Sequence, residues 1–323
     1  MKYMLLSTPV LLVVLNVAAH AKGQSDLKLE TVTPDDKSPA ATVQLLYRAG
    51  VLPKRPVILM LGSLEAEKPP FWSDGLLAEG YMLAAFSVAH PPDADPARRP
   101  QWLVFDQRFA HGYALGGSRA PADAGRVINY LTKRDDVNPK KIGWLGSSST
   151  GIPGLAVATR EPRVAAIVAF VSTGAYGQWF ATWHTNKLWV GKTPELWPET
   201  IELLEDEPIR HVSTLFPCAV LMVSGGADKV VDPATARAFA DAARPFYQSD
   251  PERLRLVVYE GCGHNLPRDV VKMYAEHWFH LYLNPTKDPP APEGATTAPA
   301  LGESVKRTQI NSTGHEKTIG AEK

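Results

Sequence analysis

The segment KIGWLGSSSTG, residues 141–151, constrains the fold more than any other stretch, because it changes from a buried strand to a helix through a run of small residues. Residues 142–145 predict a short apolar strand, and residues 152–158 predict an apolar helix. A sharp turn between two such elements presents a serine hydroxyl as a nucleophile, provided that small residues flank the serine. The segment therefore predicts a nucleophilic serine at the turn.

The turn offers two candidates for that nucleophile. Ser148 has Gly146 two residues before it, but Thr150 stands two residues after it, where glycine is usual. Ser149 has Gly151 two residues after it, but it has a serine two residues before it. The pattern favours Ser148, and Ser149 stays open as the alternative.

A serine nucleophile needs a base that takes its proton and an acid that orients the base. Residues 218–223 predict a strand that leads to Asp228, and residues 254–259 predict a strand that leads to His264. Asp232 is a competing acid, but it directly precedes a proline and therefore fits a helix N-cap. Asp228 and His264 are thus the predicted acid and base.

The other apolar runs predict an α/β fold with a mostly parallel central sheet and helices on both faces. Residues 27–32 and 41–47 partly alternate apolar with polar residues, which favours antiparallel strands at a sheet edge. Pro121 is expected to begin a helix. The predicted buried strands are 56–61, 81–87, 142–145, 164–170, 218–223 and 254–259, and the predicted helices are 71–79, 122–133, 152–158, 233–243 and 268–283.

Residues 172–214 interrupt this alternation and are rich in tryptophan. We expect them to form a cap over the ends of the strands, with Trp179 and Trp183 as part of an acyl-binding wall above Ser148. The aromatic residues would equally serve as the small core of the insertion itself. Residues 90–118 are predicted to be a long functional loop.

The two ends of the chain predict export and a disordered tail. Residues 1–21 combine Lys2, an apolar run over 4–15 and Ala-His-Ala at the end, which is typical of a secretory signal peptide cleaved after Ala21. The protein is therefore expected to be periplasmic or secreted, and without a stable membrane anchor because the apolar run is short. Residues 285–323 lack aromatic residues and predict a disordered tail, which leaves 22–284 as the catalytic domain.

Composition excludes several classes of partner. Thirty-four basic residues balance 34 acidic ones, so no basic field is expected to bind nucleic acid. Cys218 and Cys262 are expected to be unpaired, because they lie at opposite ends of parallel strands. His90 and His111, and the pair His277 and His280, fit exposed side chains better than metal ligands. We therefore predict a small-molecule substrate with no cofactor and no metal. The sequence does not indicate the oligomeric state.

Three segments carry a resemblance to a known superfamily: 136–151, 224–231 and 259–264. In sequence and order they resemble the catalytic blocks of α/β-hydrolases, and most of all the dienelactone-hydrolase and prolyl-oligopeptidase-like branch. The resemblance covers about residues 50–283. It implies Ser148 as nucleophile, Asp228 as orienting acid, His264 as general base, and the backbone N–H groups of Ser63 and Ser149 as the oxyanion hole.

The resulting hypothesis is an exported serine hydrolase that cleaves carboxylic esters through an acyl-enzyme. A peptidase or thioesterase would use the same triad, and the peptidase is less favoured because no segment before residue 27 is long enough for a propeller domain. Thr150 departs from the family pattern and supports another reading, a catalytically silent binding protein with this fold. Leu61, where many relatives have histidine, is a milder departure because the oxyanion hole uses backbone donors.

Overall fold

An eight-stranded sheet organises the part of the chain that the computed structural model describes, which is residues 26–34, 42–88, 104–191 and 195–283. The order of strands across the sheet is β1-β2-β4-β3-β5-β6-β7-β8. The strands are β1 (Leu27–Val32), β2 (Val43–Arg48), β3 (Arg55–Leu61), β4 (Met82–Phe86), β5 (Val137–Ser147), β6 (Val164–Phe170), β7 (Ala219–Gly225) and β8 (Leu254–Tyr259).

The sheet is antiparallel only at the edge where the chain begins. β1 pairs with β2 and β2 pairs with β4 in antiparallel register, whereas every pair from β4 across to β8 is parallel. The prediction of a mostly parallel sheet with antiparallel edge strands is confirmed. Since β5 to β8 are parallel, their carboxyl ends lie along one edge of the sheet.

The described residues form seven helices, five of which cover the two faces of the sheet. The seven helices are α1 (Asp74–Ala78), α2 (Gln107–Leu131), α3 (Gly151–Arg160), α4 (Tyr176–Thr185), α5 (Pro198–Leu204), α6 (Pro233–Ala243) and α7 (Arg268–Leu283). β3 shows why both faces need a cover: Val57 packs into the core beneath α2, α3 and α6, while Ile58 packs into the core beneath α1 and α7. Each fully buried side chain of this size stabilises the fold by about 1.5–3 kcal/mol, so the continuous apolar strands require two helical layers.

Helix α2 corrects two predictions. It begins at Gln107, fifteen residues before the predicted start, and Pro121 lies inside it rather than at its first turn. Asp106 caps the helix by accepting a hydrogen bond from Phe109 N at 3.0 Å. Proline inside a helix costs about 3 kcal/mol, and the buried face that α2 presents on both sides of Pro121 offsets that cost. The predicted loop 90–118 is therefore partly helical, and residues 89–103 lie outside the described residues.

Two further boundaries differ from the predictions. β5 extends over eleven residues instead of four, because Val137 pairs with Arg55 at one end and Ser147 pairs with Phe170 at the other. The helix predicted at 71–79 is limited to the five residues of α1. The insertion at 172–214 contains α4, α5 and a 3-10 helix, Pro208–Thr214.

Other predictions can be compared with the described residues directly. Cys218 and Cys262 are free, as expected. Among the described helices, none is both long and apolar enough to cross a bilayer. His280 is less exposed than predicted, because it contacts the carboxylate of Glu79 and the ring of Tyr81. The predicted signal peptide, His90 and the predicted tail lie outside the described residues.

Candidate active site

The candidate site lies at the carboxyl edge of the parallel strands. Ser148 directly follows β5, Asp228 follows β7 by three residues, and His264 follows β8 by five residues. Because these strands are parallel, the three loops that follow them leave from the same edge of the sheet. The structure brings the three predicted side chains together there.

Ser148 stands at a strained turn between β5 and α3. Its φ angle is 51°, a value that residues other than glycine rarely adopt. A Cβ atom at Gly146 would collide with the carbonyl oxygen of Thr150, and one at Gly151 would collide with the hydroxyl of Ser172. The turn therefore needs glycine at both 146 and 151. In the sequence pattern, Gly146 favoured Ser148 as the nucleophile and Gly151 favoured Ser149.

Thr150 fits the position where glycine is usual. Its hydroxyl accepts a hydrogen bond from Ser147 N at 2.8 Å and donates one to Ser147 O at 3.1 Å. The Ser147 side chain in turn accepts from the backbone of Thr150, so the two residues cap the short 3-10 turn, Ser148–Thr150, reciprocally. The departure from the family pattern thus adds hydrogen bonds to the turn instead of distorting it.

A chain of hydrogen bonds links the three side chains. His264 Nε2 lies 2.9 Å from Ser148 Oγ, and His264 Nδ1 lies 2.8 Å from Asp228 Oδ2. A carboxylate can only accept hydrogen bonds, so Nδ1 carries the ring proton in neutral His264. Nε2 is then an acceptor for the hydroxyl proton of Ser148, which is the arrangement that a general base requires.

The carboxylate of Asp228 is fully buried but has hydrogen-bond partners on both oxygens. Its side chain is 0% exposed, and Oδ1 accepts from Val230 N at 2.8 Å and from Val231 N at 3.0 Å. A buried carboxylate is costly without such donors. Asp232, the competing acid, instead caps α6 by accepting from Ala234 N at 2.9 Å.

The loops that carry the acid and the histidine are joined to each other. Ala227 N donates to Cys262 O at 2.8 Å, and Gly226 N donates to Tyr259 O at 2.7 Å. A Cβ atom at Gly225 would collide with backbone of the neighbouring loop. These contacts fix the spacing between Asp228 and His264 independently of the side chains.

The two predicted oxyanion donors stand at the same edge. Ser63 is exposed and follows β3 after Gly62, whose φ of 125° turns the chain. Ser149 is the second residue of the 3-10 turn, a position whose N–H has no partner within such a turn. The oxyanion role of both N–H groups stays a prediction.

Trp179 and Trp183 lie in an aromatic cluster rather than on an open surface. Their exposed fractions are 1% and 0%, and their rings pack edge to face at a centroid distance of 4.9 Å. The cluster also takes Phe105 and Phe109 from the segment around the start of α2. Neither indole presents surface to a ligand in this arrangement, and the cluster acts as a small core. The role of the two tryptophans in an acyl-binding wall stays a prediction.

Tyr113 is a residue near the site that the sequence did not reveal. It lies on α2, its ring packs against Trp179 at a centroid distance of 5.0 Å, and its hydroxyl interacts with the Ser149 side chain. Burial raises the pKa of Tyr113 to about 12, against the smaller opposite effect of Ser149. Tyr113 lies here because α2 begins as early as Gln107. Asp106, read as a helix N-cap, was the sequence signal for that early start.

A cavity of about 250 Å³ adjoins the triad. Ser147 and His264 line it at one side, and most of its other lining residues are apolar. The cavity lies over the carboxyl ends of β5 and β6. One of its lining residues, Val171, has a φ of 43° and is, like Ser148, a strained residue. A substrate group bound at the triad can extend into this cavity past His264.

Nothing in the described residues forms a metal site. No group of three or more His, Cys, Asp or Glu side chains there is arranged to hold a metal ion. His111, predicted to be exposed, is half-buried on α2 and pairs with Thr200 Oγ1 through Nδ1 at 3.0 Å.

The sequence matches a family model and a curated relative. Residues 105–284 match the model of the prolyl oligopeptidase family, Peptidase_S9. A Bacillus subtilis (strain 168) protein with the name "Putative esterase YitV" is 28% identical over 210 residues, which cover 63% of this chain and 82% of that protein. The matched family segment contains Ser148, Asp228 and His264.

Solved structures share the fold. Dipeptidyl peptidase 4 of Porphyromonas gingivalis superimposes with a TM-score of 0.58 at 16% identity, covering 80% of this chain and 36% of that one, so this chain spans about a third of the peptidase. Acetyl xylan esterase 1 of Thermoanaerobacterium sp. JW/SL YS485 gives a TM-score of 0.55 at 15% identity, covering 79% of this chain and 88% of that one. The predicted fold class, an α/β-hydrolase fold, is confirmed, and the match to the family model supports a hydrolase.

Proposed function

Because the chain belongs to the prolyl oligopeptidase family, a family of α/β-hydrolases, we propose that it is a serine hydrolase that cleaves carboxylic esters through an acyl-enzyme. The observation that carries the proposal is the hydrogen-bond chain from Ser148 Oγ to His264 Nε2, 2.9 Å, and from His264 Nδ1 to Asp228 Oδ2, 2.8 Å. The strained φ of 51° at Ser148 supports the same assignment, because it holds the hydroxyl out from the end of β5.

In the proposed mechanism, Ser148 Oγ attacks the carbonyl carbon while His264 Nε2 takes the hydroxyl proton. The oxygen of the tetrahedral intermediate gains negative charge, and the N–H groups of Ser63 and Ser149 donate hydrogen bonds to it. Protonated His264 then gives its proton to the leaving alcohol oxygen, and the ester bond breaks. A water molecule, deprotonated by His264, repeats the sequence on the acyl-enzyme and releases the acid.

Asp228 has an orienting role in this proposal. Its buried carboxylate holds the Nδ1 proton of His264 and thereby keeps Nε2 free to act as base. The positive charge that His264 gains in each proton transfer lies 2.8 Å from the carboxylate, which stabilises it.

Two matches support esters as the substrates. The aligned segment covers 82% of the YitV protein, which is named as an esterase, and the superposition covers 88% of acetyl xylan esterase 1. The family name and dipeptidyl peptidase 4 favour peptide cleavage as the second candidate, but this chain covers 36% of that peptidase. The same triad attacks either carbonyl, so substrate binding decides between the two.

Turnover of paired substrates tests the proposal. The protein starting at Lys22 should hydrolyse p-nitrophenyl acetate and butyrate with a kcat/KM far above that on the matching p-nitroanilides. Ser148→Ala should abolish both activities. Faster cleavage of dipeptidyl p-nitroanilides would replace the esterase proposal with a peptidase. The absence of turnover with every ester and amide would support a silent binding protein.

We also propose that the protein is exported after cleavage next to Ala21. The support is the sequence pattern of residues 1–21 alone. Mass spectrometry of the protein from fractionated cells should find a mature N-terminus at Lys22 in the periplasm or medium. Full-length protein confined to the cytoplasm would contradict the proposal.

A further inference from the structure

The loop that follows β3 is held by hydrogen bonds on either side of Ser63. Gly62 N donates to Phe86 O, at the end of β4, at 3.0 Å. Leu64 N donates to Gln44 Oε1 at 2.8 Å. The N–H of Ser63 lies between these two donors and has no hydrogen-bond partner among the described residues. The loop therefore fixes the residues before and after Ser63 and leaves its N–H available to a ligand oxygen.

The register of the sheet places Ser63 beside Ser148. β3 and β5 are parallel neighbours in which Leu59 pairs with Trp144, and each serine comes four residues after its member of that pair. Neighbouring strands are about 4.7–4.9 Å apart, so residues at the same level past their ends lie close to each other. The backbone of Ser63 is thus on the β3 side of the nucleophile.

Gln44 reaches this loop from β2, on the far side of β4. It pairs with Ala85 near the end of β4, and it shares a face of β2 with Leu46, two residues further along. Leu46 and Leu64 both belong to the core beneath α1 and α7. Because a backbone N–H can only donate, Oε1 is the atom of the Gln44 amide that accepts from Leu64 N. An apolar side chain at position 44 would leave this N–H without its acceptor.

Gln44 provides the only polar support of the loop in the part of the chain that the structure describes. Residues 63–69 form no other hydrogen bond there. The side chain of Leu61, which stands where many relatives have histidine, has no polar group that could hold the loop. The Leu64 side chain is 3% exposed and also anchors the loop. Apolar packing is not directional, however, whereas a hydrogen bond orients the peptide that makes it.

We propose that Gln44 is a positioning residue of the oxyanion hole, which holds Leu64 N and thereby aims the Ser63 N–H at the substrate carbonyl. The inference rests on the proposed esterase function and names a residue that supports the same site. Gln44 does not touch the substrate in this account, and it acts through the backbone of Ser63. Its effect should therefore be larger on the transition state, in which the carbonyl oxygen gains negative charge, than on substrate binding.

Gln44→Met tests this role kinetically, because methionine is similar in length but lacks the amide oxygen. On p-nitrophenyl acetate it should lower kcat by about 10- to 100-fold. Removing an oxyanion donor outright costs about 100- to 1,000-fold, and this change only displaces one. KM should change by less than about 2-fold. An unchanged kcat, or a loss that appears mainly in KM, would overturn the inference.

Tyr47→Phe is the matched control. Tyr47 lies on the same strand, level with Met82 at the start of β4, and its hydroxyl donates a hydrogen bond to the Glu30 side chain. The control therefore also removes one side-chain hydrogen bond of β2, but at the edge of the sheet opposite the triad. It should lower the melting temperature and leave kcat unchanged. If it lowers kcat as much as Gln44→Met does, Gln44 contributes only to general stability and the positioning role is refuted.

A transition-state analogue gives a readout that a loss of stability does not change. When 1,1,1-trifluoro-2-hexanone binds, Ser148 Oγ bonds to the ketone carbon, His264 takes the hydroxyl proton, and the ketone oxygen becomes negatively charged. Its inhibition constant should rise by about 10-fold or more in Gln44→Met and stay the same in Tyr47→Phe. An inhibition constant that Gln44→Met leaves at the wild-type value would show that the oxyanion donors are not displaced.

Amide hydrogen exchange separates this inference from the esterase proposal, because it needs no turnover. In Gln44→Met the peptide that covers residues 62–70 should exchange about 2- to 10-fold faster, the effect of losing one hydrogen bond, and Tyr47→Phe should leave it unchanged. Faster exchange of this loop without ester turnover in the wild type would refute the esterase function and leave the support by Gln44 standing. Ester turnover in the wild type with unchanged loop exchange in Gln44→Met would refute the role of Gln44 alone.

Discussion

The indole nitrogen of Trp179 donates a hydrogen bond to the carbonyl oxygen of Val230 at 2.7 Å. The N–H of Val230 in turn donates to Asp228 Oδ1 at 2.8 Å. The aromatic cluster of the insertion is therefore connected to the loop that carries the acid. Trp179 is a positioning residue in this account, because it acts on the carboxylate through the backbone of Val230.

Trp179→Phe should lower kcat more than Trp183→Phe does. Both changes remove part of a buried ring, but Trp179 loses a hydrogen bond that holds Val230. The indole N–H of Trp183 has no hydrogen-bond partner among the described residues. An unsatisfied buried carbonyl costs about 1–3 kcal/mol, so Trp179→Phe should also lower the free energy of unfolding by about that much more. Steady-state kinetics and urea unfolding of both variants measure this, and equal effects would contradict the positioning role.

Asp228→Asn should reduce kcat by about 10,000-fold with the fold intact, because an amide in place of the carboxylate no longer fixes the tautomer of His264. Asp232→Asn is the matched control, since asparagine caps helices as well as aspartate does and Asp232 only caps α6. Its turnover should stay close to that of the wild type. A large loss in Asp232→Asn alone would mean that the acid has been misassigned.

Tyr113→Phe should lower kcat a few-fold through the contact of its hydroxyl with Ser149. A double-mutant cycle with Ser149→Ala should give a coupling energy of about 0.5–1.5 kcal/mol, the range for one hydrogen bond. Burial raises the pKa of Tyr113 to about 12, so the hydroxyl stays neutral and the coupling should be constant up to about pH 10. Strict additivity of the two changes would show that the contact has no part in turnover.

Sequence reasoning located the site because its three residues each follow a buried strand. Apolar runs fix where parallel strands end, and a residue just past a strand end has only one edge of the sheet to occupy. His264 is 116 residues from Ser148 and 36 residues from Asp228 in the sequence. This rule nevertheless predicts that the three side chains lie close together.

The residues around the triad could not be predicted from the sequence, because their positions depend on tertiary packing. Pro121 suggested a helix start, and only the packing of α2 against the aromatic cluster explains why the helix continues through it. Tyr113 depends on that packing. The sequence left open whether the tryptophans of the insertion line an acyl-binding wall or form a small core, because composition does not reveal which face of an aromatic cluster is covered.

The identity of the reactive serine tests the central claim most directly. The purified protein is treated with a fluorophosphonate, and the labelled residue is identified by mass spectrometry in the wild type, Ser148→Ala and Ser149→Ala. The account predicts a label on Ser148 in the wild type and in Ser149→Ala, and no label in Ser148→Ala, because Ser148 Oγ lies 2.9 Å from His264 Nε2. A label on Ser149, or one that persists in Ser148→Ala, would contradict it.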